Sequence, residues 1–236
     1  MEIRKGKLLH EGKTKKLYPT NDSELLIIHF KDVLAPSPGK KKTTVKGKGA
    51  INNAISSLIF QFLESYHIPT QFVKVLKTDE MLVKRLEIMP VMGIVWNFAT
   101  KSLNKRFGVT KGLPLSCPIV ELFVKNEKLK NPMITIDHAC AFGYGTLEEM
   151  QDIDRMIRKT NAVLKSFFER RELELVDLKL EFGRADGEIF LADEISLDTC
   201  HLYDIQSEEA RNRVLLPDEA ENMAKIYESL KDRICA

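Results

Sequence analysis

Apolar and polar positions along the 236-residue chain follow two rhythms, and each predicts its own kind of element. The period-two rhythm is plainest in "LVDLKLEFG", residues 175–183. It puts Asp177, Lys179 and Glu181 on one side of a predicted strand and Leu178, Leu180 and Phe182 on the other. "KLLHEGKTKKLYPTNDSELLIIHF", residues 7–30, predicts three short strands parted by turn signals at Glu11-Gly12 and from Pro19 to Asp22. "TQFVKVLKTDEMLVKRLEIMP", residues 70–90, predicts two more around a turn from Lys77 to Glu80, and "VMGIVWNF", residues 91–98, predicts another. Beyond the turn "GRADGE", "IFLADEIS" returns as the partner of residues 175–183 in a hairpin.

The helical rhythm marks three segments. In residues 50–66, Ile51, Ile55, Leu58, Ile59, Phe62 and Tyr66 share one face, with Gly49 just before them. In residues 146–171, Met150, Ile153, Ile157, Leu164 and Phe168 form a stripe behind a capping box made by Thr146 and Glu149. In residues 218–233, Ala220, Met223, Tyr227 and Leu230 turn inward as a terminal helix. Residues 101–118, "KSLNKRFGVTKGLPLSCP", carry enough Gly and Pro to predict an irregular connection. The pattern predicts an α+β fold of two lobes: a β-rich first lobe over residues 1–89, and a second α+β lobe over residues 90–236 holding the hairpin and the terminal helix.

Composition narrows the function classes. With 44% hydrophobic and 30% charged residues the chain reads as an ordinary globular protein. No segment approaches the roughly 18 uninterrupted apolar residues of a membrane span and the N-terminus lacks the apolar run of a signal peptide, so the expectation is a cytoplasmic protein without a membrane partner. Cys117, Cys140, Cys200 and Cys235 are far apart with no C-x-x-C pair, which predicts reduced thiols rather than a zinc or redox motif. A net charge of only +2, from 36 basic against 34 acidic residues, argues against a nucleic-acid partner. The basic residues are nevertheless clustered, five lysines falling in "GKKKTTVKGKG", residues 39–49. Such a run is either a solvated loop or a surface aimed at an anion.

Acid, base and acid along one strand face is an arrangement with two readings. An exposed face of alternating charge would tolerate it. In a cleft, the same carboxylates demand a cation or a transferred proton, and hard oxygen ligands then imply magnesium held together with nucleotide phosphates. Opposed residues of an antiparallel pair share a face, so the returning strand adds another acid to the row. A two-residue turn at Asp186-Gly187 sets Glu194 opposite Lys179, and a three-residue loop sets Asp193 there. "EGKTKK" favours the cleft reading, because a tight turn at Gly12 followed by Lys13 and Lys15 on one strand face forms a small anion cradle. It is not a Walker loop, since the G-x-x-x-x-G-K-[ST] spacing is absent.

The segments "EGKTKKLY", "FKD", "GKGAINNAISSLIF", "IPTQFV", "MLVKRLEIMP", "KSLNKRFGVTKGLPL", "PIVELFVKNEKLKNPMI", "LVDLKLEFG" and "LADEISLDTCHLYD" occur in an order that resembles the SAICAR synthetase family of purine biosynthesis. The resemblance runs through most of the chain. It implies a two-lobed fold related to the ATP-grasp and kinase-like architectures, with ATP and Mg2+ in the cleft. The reaction it implies is ADP-forming amide synthesis between the carboxylate of an aminoimidazole ribotide, activated as an acyl phosphate, and the amine of aspartate. Carried over by position, Lys13, Lys15 and Lys125 resemble phosphate ligands and Lys84 lies on the adenine-side strand. Glu181 and Asp193 resemble the magnesium ligands, and Asp177 and Lys179 the residues that meet the substrate and the transferring phosphoryl group.

The departures fall elsewhere. Two arginines that the resemblance places against the substrate are Trp96 and His201 in this chain, and a glycine is Lys101. Replacing a bidentate guanidinium is not conservative at an anion site. Trp96 reads either as a core aromatic or as a stacking surface, and His201 either as a structural loop residue or as a weak anion ligand when protonated. Ser102 matches a family serine near the substrate phosphate. Pro36 and Pro38 interrupt an expected acidic loop, Met92 stands where a glutamate is expected, and the tail after Asp204 differs from the family pattern. Three activities follow: the family ligase reaction, a paralogous ligase acting on a different heterocyclic carboxylate or amine, and nucleotide binding without catalysis. Small-molecule partners are expected in the first two, and homo-oligomerisation is left open.

Overall fold

The computed structural model describes residues 2–34, 43–206 and 223–236. Two main antiparallel sheets follow one another along the chain. The first takes β1 (His10–Glu11), β2 (Lys15–Pro19), β3 (Leu25–Phe30), β6 (Phe72–Lys77) and β7 (Glu80–Lys84) in the order β1-β2-β3-β7-β6. A short ladder of β4 (Val33–Leu34) and β5 (Thr43–Thr44) precedes helix α1 (Lys48–Ser65), which packs on this sheet. Gly49 in the first turn of α1 lies so close to the end of β3 that an added Cβ would sit 2.5 Å from the Phe30 carbonyl oxygen. The glycine thus sets how near the helix comes to the sheet.

The second sheet holds β8 (Glu87–Phe98), β9 (Pro114–Val124), β10 (Met133–Ile134), β11 (Leu173–Ala185), β12 (Glu188–Ala192) and β13 (Cys200–Asp204). β8 and β9 are linked through α2 (Lys101–Phe107), and β10 leads into α3 (Ile136–Ala141) and α4 (Leu147–Glu169). The thirteen residues of β11 pair with β8 along one side and with β13 and then β12 along the other. α4 packs on the face that carries Leu178, Leu180 and Phe182; Gly93, opposite Leu180, makes room there, because a Cβ would lie 2.4 Å from Ile157 Cδ1. The capping box of Thr146 and Glu149 opens α4 as the sequence predicts. Helix α5 (Met223–Cys235) returns to α1, with Met223, Tyr227 and Leu230 buried. Ala220, Pro36, Pro38 and the altered tail lie outside the described residues.

Several elements depart from the sequence expectation. Residues 101–118 are not irregular: α2 starts after the extended Thr100, Leu103 is its buried anchor, Gly108 ends it at φ 70°, and β9 begins at Pro114. Prolines are tolerated in β9 because its outer edge is paired only at Leu122 and Phe123. The strand expected from Val91 begins at Glu87 and runs through Pro90, where β8 bulges: Glu181 pairs with Met92 but Gly183 with Ile88. The Pro90 carbonyl still accepts from the Lys125 N–H at 2.8 Å.

The hairpin also resolves its register. Asp186 (φ 51°) and Gly187 (φ 78°) form the two-residue turn, and Ala185 pairs with Glu188. The ladder ends at Glu181 opposite Ala192, because Asp193 is in the left-handed region at φ 62° and turns the chain out of the strand. Neither acid therefore stands opposite Lys179 in the ladder, whose N–H donates instead to the Thr199 carbonyl at 2.8 Å. The two sheets are joined where Thr70 forms a parallel bridge to Leu191, the Gln71 N–H donates to the Leu191 carbonyl at 2.9 Å and the Leu191 N–H to the Pro69 carbonyl at 2.9 Å.

Candidate functional site

The glycine turn of the first sheet and the acidic ribbon of the second face one cleft. A cavity of about 220 Å³ is lined by Gly12, Lys13, Lys15, Lys84, Lys125, Glu181 and Asp193. Leu17, Leu26, Ile28, Val83, Leu86 and Ile88 give it an apolar bed. Six of the residues singled out from sequence thus meet here, because β2, β7, the end of β9, β11 and the end of β12 converge on it.

Each charged group is held by another. Lys15 contacts Asp193 and stands 2.9 Å from Glu194 Oε1. Lys125 contacts Glu181 Oε2, and Lys179 Nζ lies 2.8 Å from Glu181 Oε1 and 3.9 Å from Asp193 Oδ2. Lys13, more exposed, reaches Glu127 Oε1 at 2.5 Å. Lys84 Nζ stands 4.3 Å from the centre of the Phe190 ring. Burial alone would pull the Lys15 and Lys179 ammonium groups down, but the facing carboxylates outweigh it and raise both above their ordinary value. Burial would likewise raise Asp193, yet Lys15 and Lys179 hold it below the usual aspartate value. Glu194 goes the other way: burial, together with Asp198 and Asp193, outweighs Lys15 and raises it. Glu194 enters the sequence reading only as a register alternative, and its burial at 3% exposure is decided by the turn at Asp193.

A second group lies further along the same face of β11. Asp177 pairs with Trp96 on β8 and with His201 on β13, so all three side chains share that face. His201 Nδ1 is 2.7 Å from Asp177 Oδ1. Burial acts to lower the imidazole, and the hydrogen bond and charge of Asp177 more than reverse this, leaving it raised. Trp96 is 7% exposed and donates its indole N–H to Glu121 Oε2 at 2.9 Å. Arg106 of α2 grips the same carboxylate through both terminal nitrogens, at 2.9 and 2.7 Å. Glu121 and Arg106 escape sequence reading because fifteen residues and a loop separate them. Ser102, in the exposed first turn of α2, makes no side-chain hydrogen bond among the described residues and joins neither group.

The donor set suits a cation of the hard class. Among the described residues no group of three or more His, Cys, Asp or Glu side chains is gathered into a cage. Magnesium does not require one, since it commonly takes one or two carboxylates and completes its shell with phosphate oxygens and water. Glu181 and Asp193 flank the Lys179 ammonium, so a positive charge already lies between two hard-oxygen donors. Cations now satisfied by carboxylates are also those that can turn to an incoming polyphosphate.

Known proteins share this architecture. A SAICAR synthetase family model matches residues 8–224. The phosphoribosylaminoimidazole-succinocarboxamide synthase of Chlorobaculum tepidum is 42% identical over 232 residues, covering 98% of this chain and 99% of its own. The crystal structure of the Ehrlichia chaffeensis synthase superposes with a TM-score of 0.91 at 34% identity, over 98% of this chain and 99% of its own. A type-2 SAICAR synthetase in complex with ADP superposes at 0.89 with 37% identity, over 97% of each chain. With sequence, fold and near-complete coverage in agreement, the chain belongs to the SAICAR synthetase family.

Proposed function

We propose that this protein is an ATP-dependent, ADP-forming carbon–nitrogen ligase that joins the carboxylate of an aminoimidazole ribotide to the amine of aspartate, a step of purine biosynthesis. The observation that carries the reading is the shared cleft: the Gly12 turn with Lys13 and Lys15 confronts Glu181 and Asp193 across one cavity. Near-full-length identity of 42% to a phosphoribosylaminoimidazole-succinocarboxamide synthase favours the family reaction over a paralogue with altered substrates and over a non-catalytic binder.

In this reading residues 1–89 supply the apolar bed and the first phosphate ligands, and residues 90–236 the carboxylates and the substrate face. The adenine lies among Leu17, Leu26, Ile28 and Val83, with Lys84 beside it. Lys13, Lys15 and Lys125 exchange their carboxylate partners for phosphate oxygens when the nucleotide arrives. Glu181 and Asp193 would hold Mg2+, which when bound neutralises phosphate charge and acts as a Lewis acid on the transferring group. Lys179, kept protonated by its two carboxylate neighbours, stabilises charge on the phosphoryl group as it passes to the substrate carboxylate. Asp177 orients the substrate from the adjacent position, with His201 and Trp96 toward the ribotide end. The four free thiols accord with a cytoplasmic enzyme.

The test is ADP release from ATP. It should require the aminoimidazole ribotide carboxylate and aspartate together, and Lys179→Ala or Asp193→Asn should lower it at least ~100-fold with circular dichroism unchanged. Release without either co-substrate, or near-normal rates in both variants, would overturn the assignment.

A further inference from the structure

The turn that carries Asp193 and Glu194 is held by one contact from the cleft wall and by others from beyond it. Asp193 lies at φ 62°, a conformation that costs a non-glycine residue energy and persists only where its surroundings enforce it. Gln71 Nε2 donates to the Asp193 carbonyl at 2.6 Å, and the Ile195 N–H to Ser56 Oγ at 3.2 Å. Further on, Asp198 gathers three donors from two helices. Lys48 of α1, with no exposed surface, contacts Oδ2, Asn52 reaches the same oxygen at 3.0 Å, and the Tyr227 hydroxyl of α5 donates to Oδ1 at 3.0 Å. Burial first and Asp198 second push the Tyr227 phenol upward, so it keeps its proton and remains a donor.

From Asp198 an unbroken series of hydrogen bonds leads into the cleft. The Asp198 N–H donates to Ser196 Oγ at 3.2 Å, and Ser196 Oγ donates to Glu194 Oε2 at 3.1 Å. Glu194 Oε1 then faces Lys15 Nζ at 2.9 Å. The terminal helix therefore connects to a cleft lysine through Asp198, Ser196 and Glu194.

We infer that Tyr227, acting through Asp198, is a positioning residue for the polyphosphate end of the cleft: it fixes the 193–199 turn so that Asp193 and Glu194 hold Lys15 where a nucleoside diphosphate can take it over. The inference rests on the nucleotide reading of the cleft. The effect is read at the phosphate end, because the Asp177, Trp96 and His201 group is held in addition by the pairing of β11 with β8.

Tyr227→Phe removes the one hydroxyl and keeps the ring in its buried site. Calorimetric titration with ADP in the presence of magnesium should show affinity about three- to tenfold weaker than in the unaltered protein. In turnover, KM for ATP should rise while KM for aspartate stays constant. Leu230→Ala, which loosens the same helix without touching Asp198, should lower the melting temperature and leave ADP affinity unchanged. Equal ADP affinity in Tyr227→Phe and the unaltered protein would overturn the inference, as would an equal loss in Leu230→Ala. Failure of the unaltered protein to bind ADP at all would instead remove the nucleotide reading on which it rests.

Discussion

Replacing Lys15 by methionine keeps most of the side-chain volume and deletes the charge. In the native protein Lys15 faces both Asp193 and Glu194, whose side chains are 20% and 2% exposed. Without it Glu194 retains only Ser196 Oγ at 3.1 Å, and Asp193 retains Lys179 at 3.9 Å. Removing one partner of a fully buried pair costs about 3–5 kcal/mol; partial solvent access at Asp193 and proton uptake by Glu194 reduce this to about 2–3 kcal/mol near neutral pH. In a chain of this size that is a fall in melting temperature of about 5–10 °C.

The pH dependence fixes the cause. Asp193 is held below its unfolded value, so its contribution is present above the ordinary aspartate pKa and is lost as pH falls through the lowered folded value. The variant lacks that contribution, so the gap between the two proteins should narrow from about pH 5 to about pH 3, as the pH passes below the ordinary aspartate pKa of about 3.9. Urea unfolding at both values measures it, and titration with ADP should show at least a ~10-fold loss of affinity. A difference below about 0.5 kcal/mol, a gap independent of pH, or undiminished ADP binding would refute the reasoning.

Three further outcomes are expected. Gly49→Ala, which in an exposed helix would stabilise by up to about 1 kcal/mol, should here destabilise by about 1–3 kcal/mol in urea unfolding, since the new methyl meets the Phe30 carbonyl at 2.5 Å. The His201 imidazole, raised by Asp177, should titrate above about 6.5 by NMR and return toward that value in Asp177→Asn; its stabilisation is complete below the unfolded pKa and disappears as pH rises through the folded one. A native titration at or below 6.5 would refute it. Trp96→Phe loses the indole bond to Glu121 and should raise KM for the heterocyclic substrate by about two- to tenfold with KM for ATP unchanged; a shift confined to ATP would place Trp96 elsewhere.

What the sequence made legible was local or periodic. The alternation in residues 175–183 is readable because β11 has α4 on one face and the cleft on the other, so packing and chemistry select opposite positions. The start of α4 is readable because its cap uses groups three residues apart. The acids facing Lys15 were not assignable, since the turn predicts the ladder's register but not the left-handed Asp193 that ends it early. β13 escaped because its apolar and polar positions lie in a five-residue strand whose partner is about twenty-five residues away. α2 was obscured by the glycines and prolines after it, although Thr100, Lys105, Arg106 and Gly108 mark its two ends. Arg106 on Glu121 and Tyr227 on Asp198 depend on tertiary proximity that no spacing announces.

The stitch between Pro69–Gln71 and Leu191 has a mechanical implication. Backbone hydrogen bonds tie the two sheets a couple of residues from Asp193, so the wall bearing the lysines and the wall bearing the acids share a clamped base. A cleft anchored so near its own chemistry opens little by hinge rotation. Ligand exchange then falls to swings of the lysine side chains at the rim, and the spacing that a polyphosphate meets is built in before it arrives.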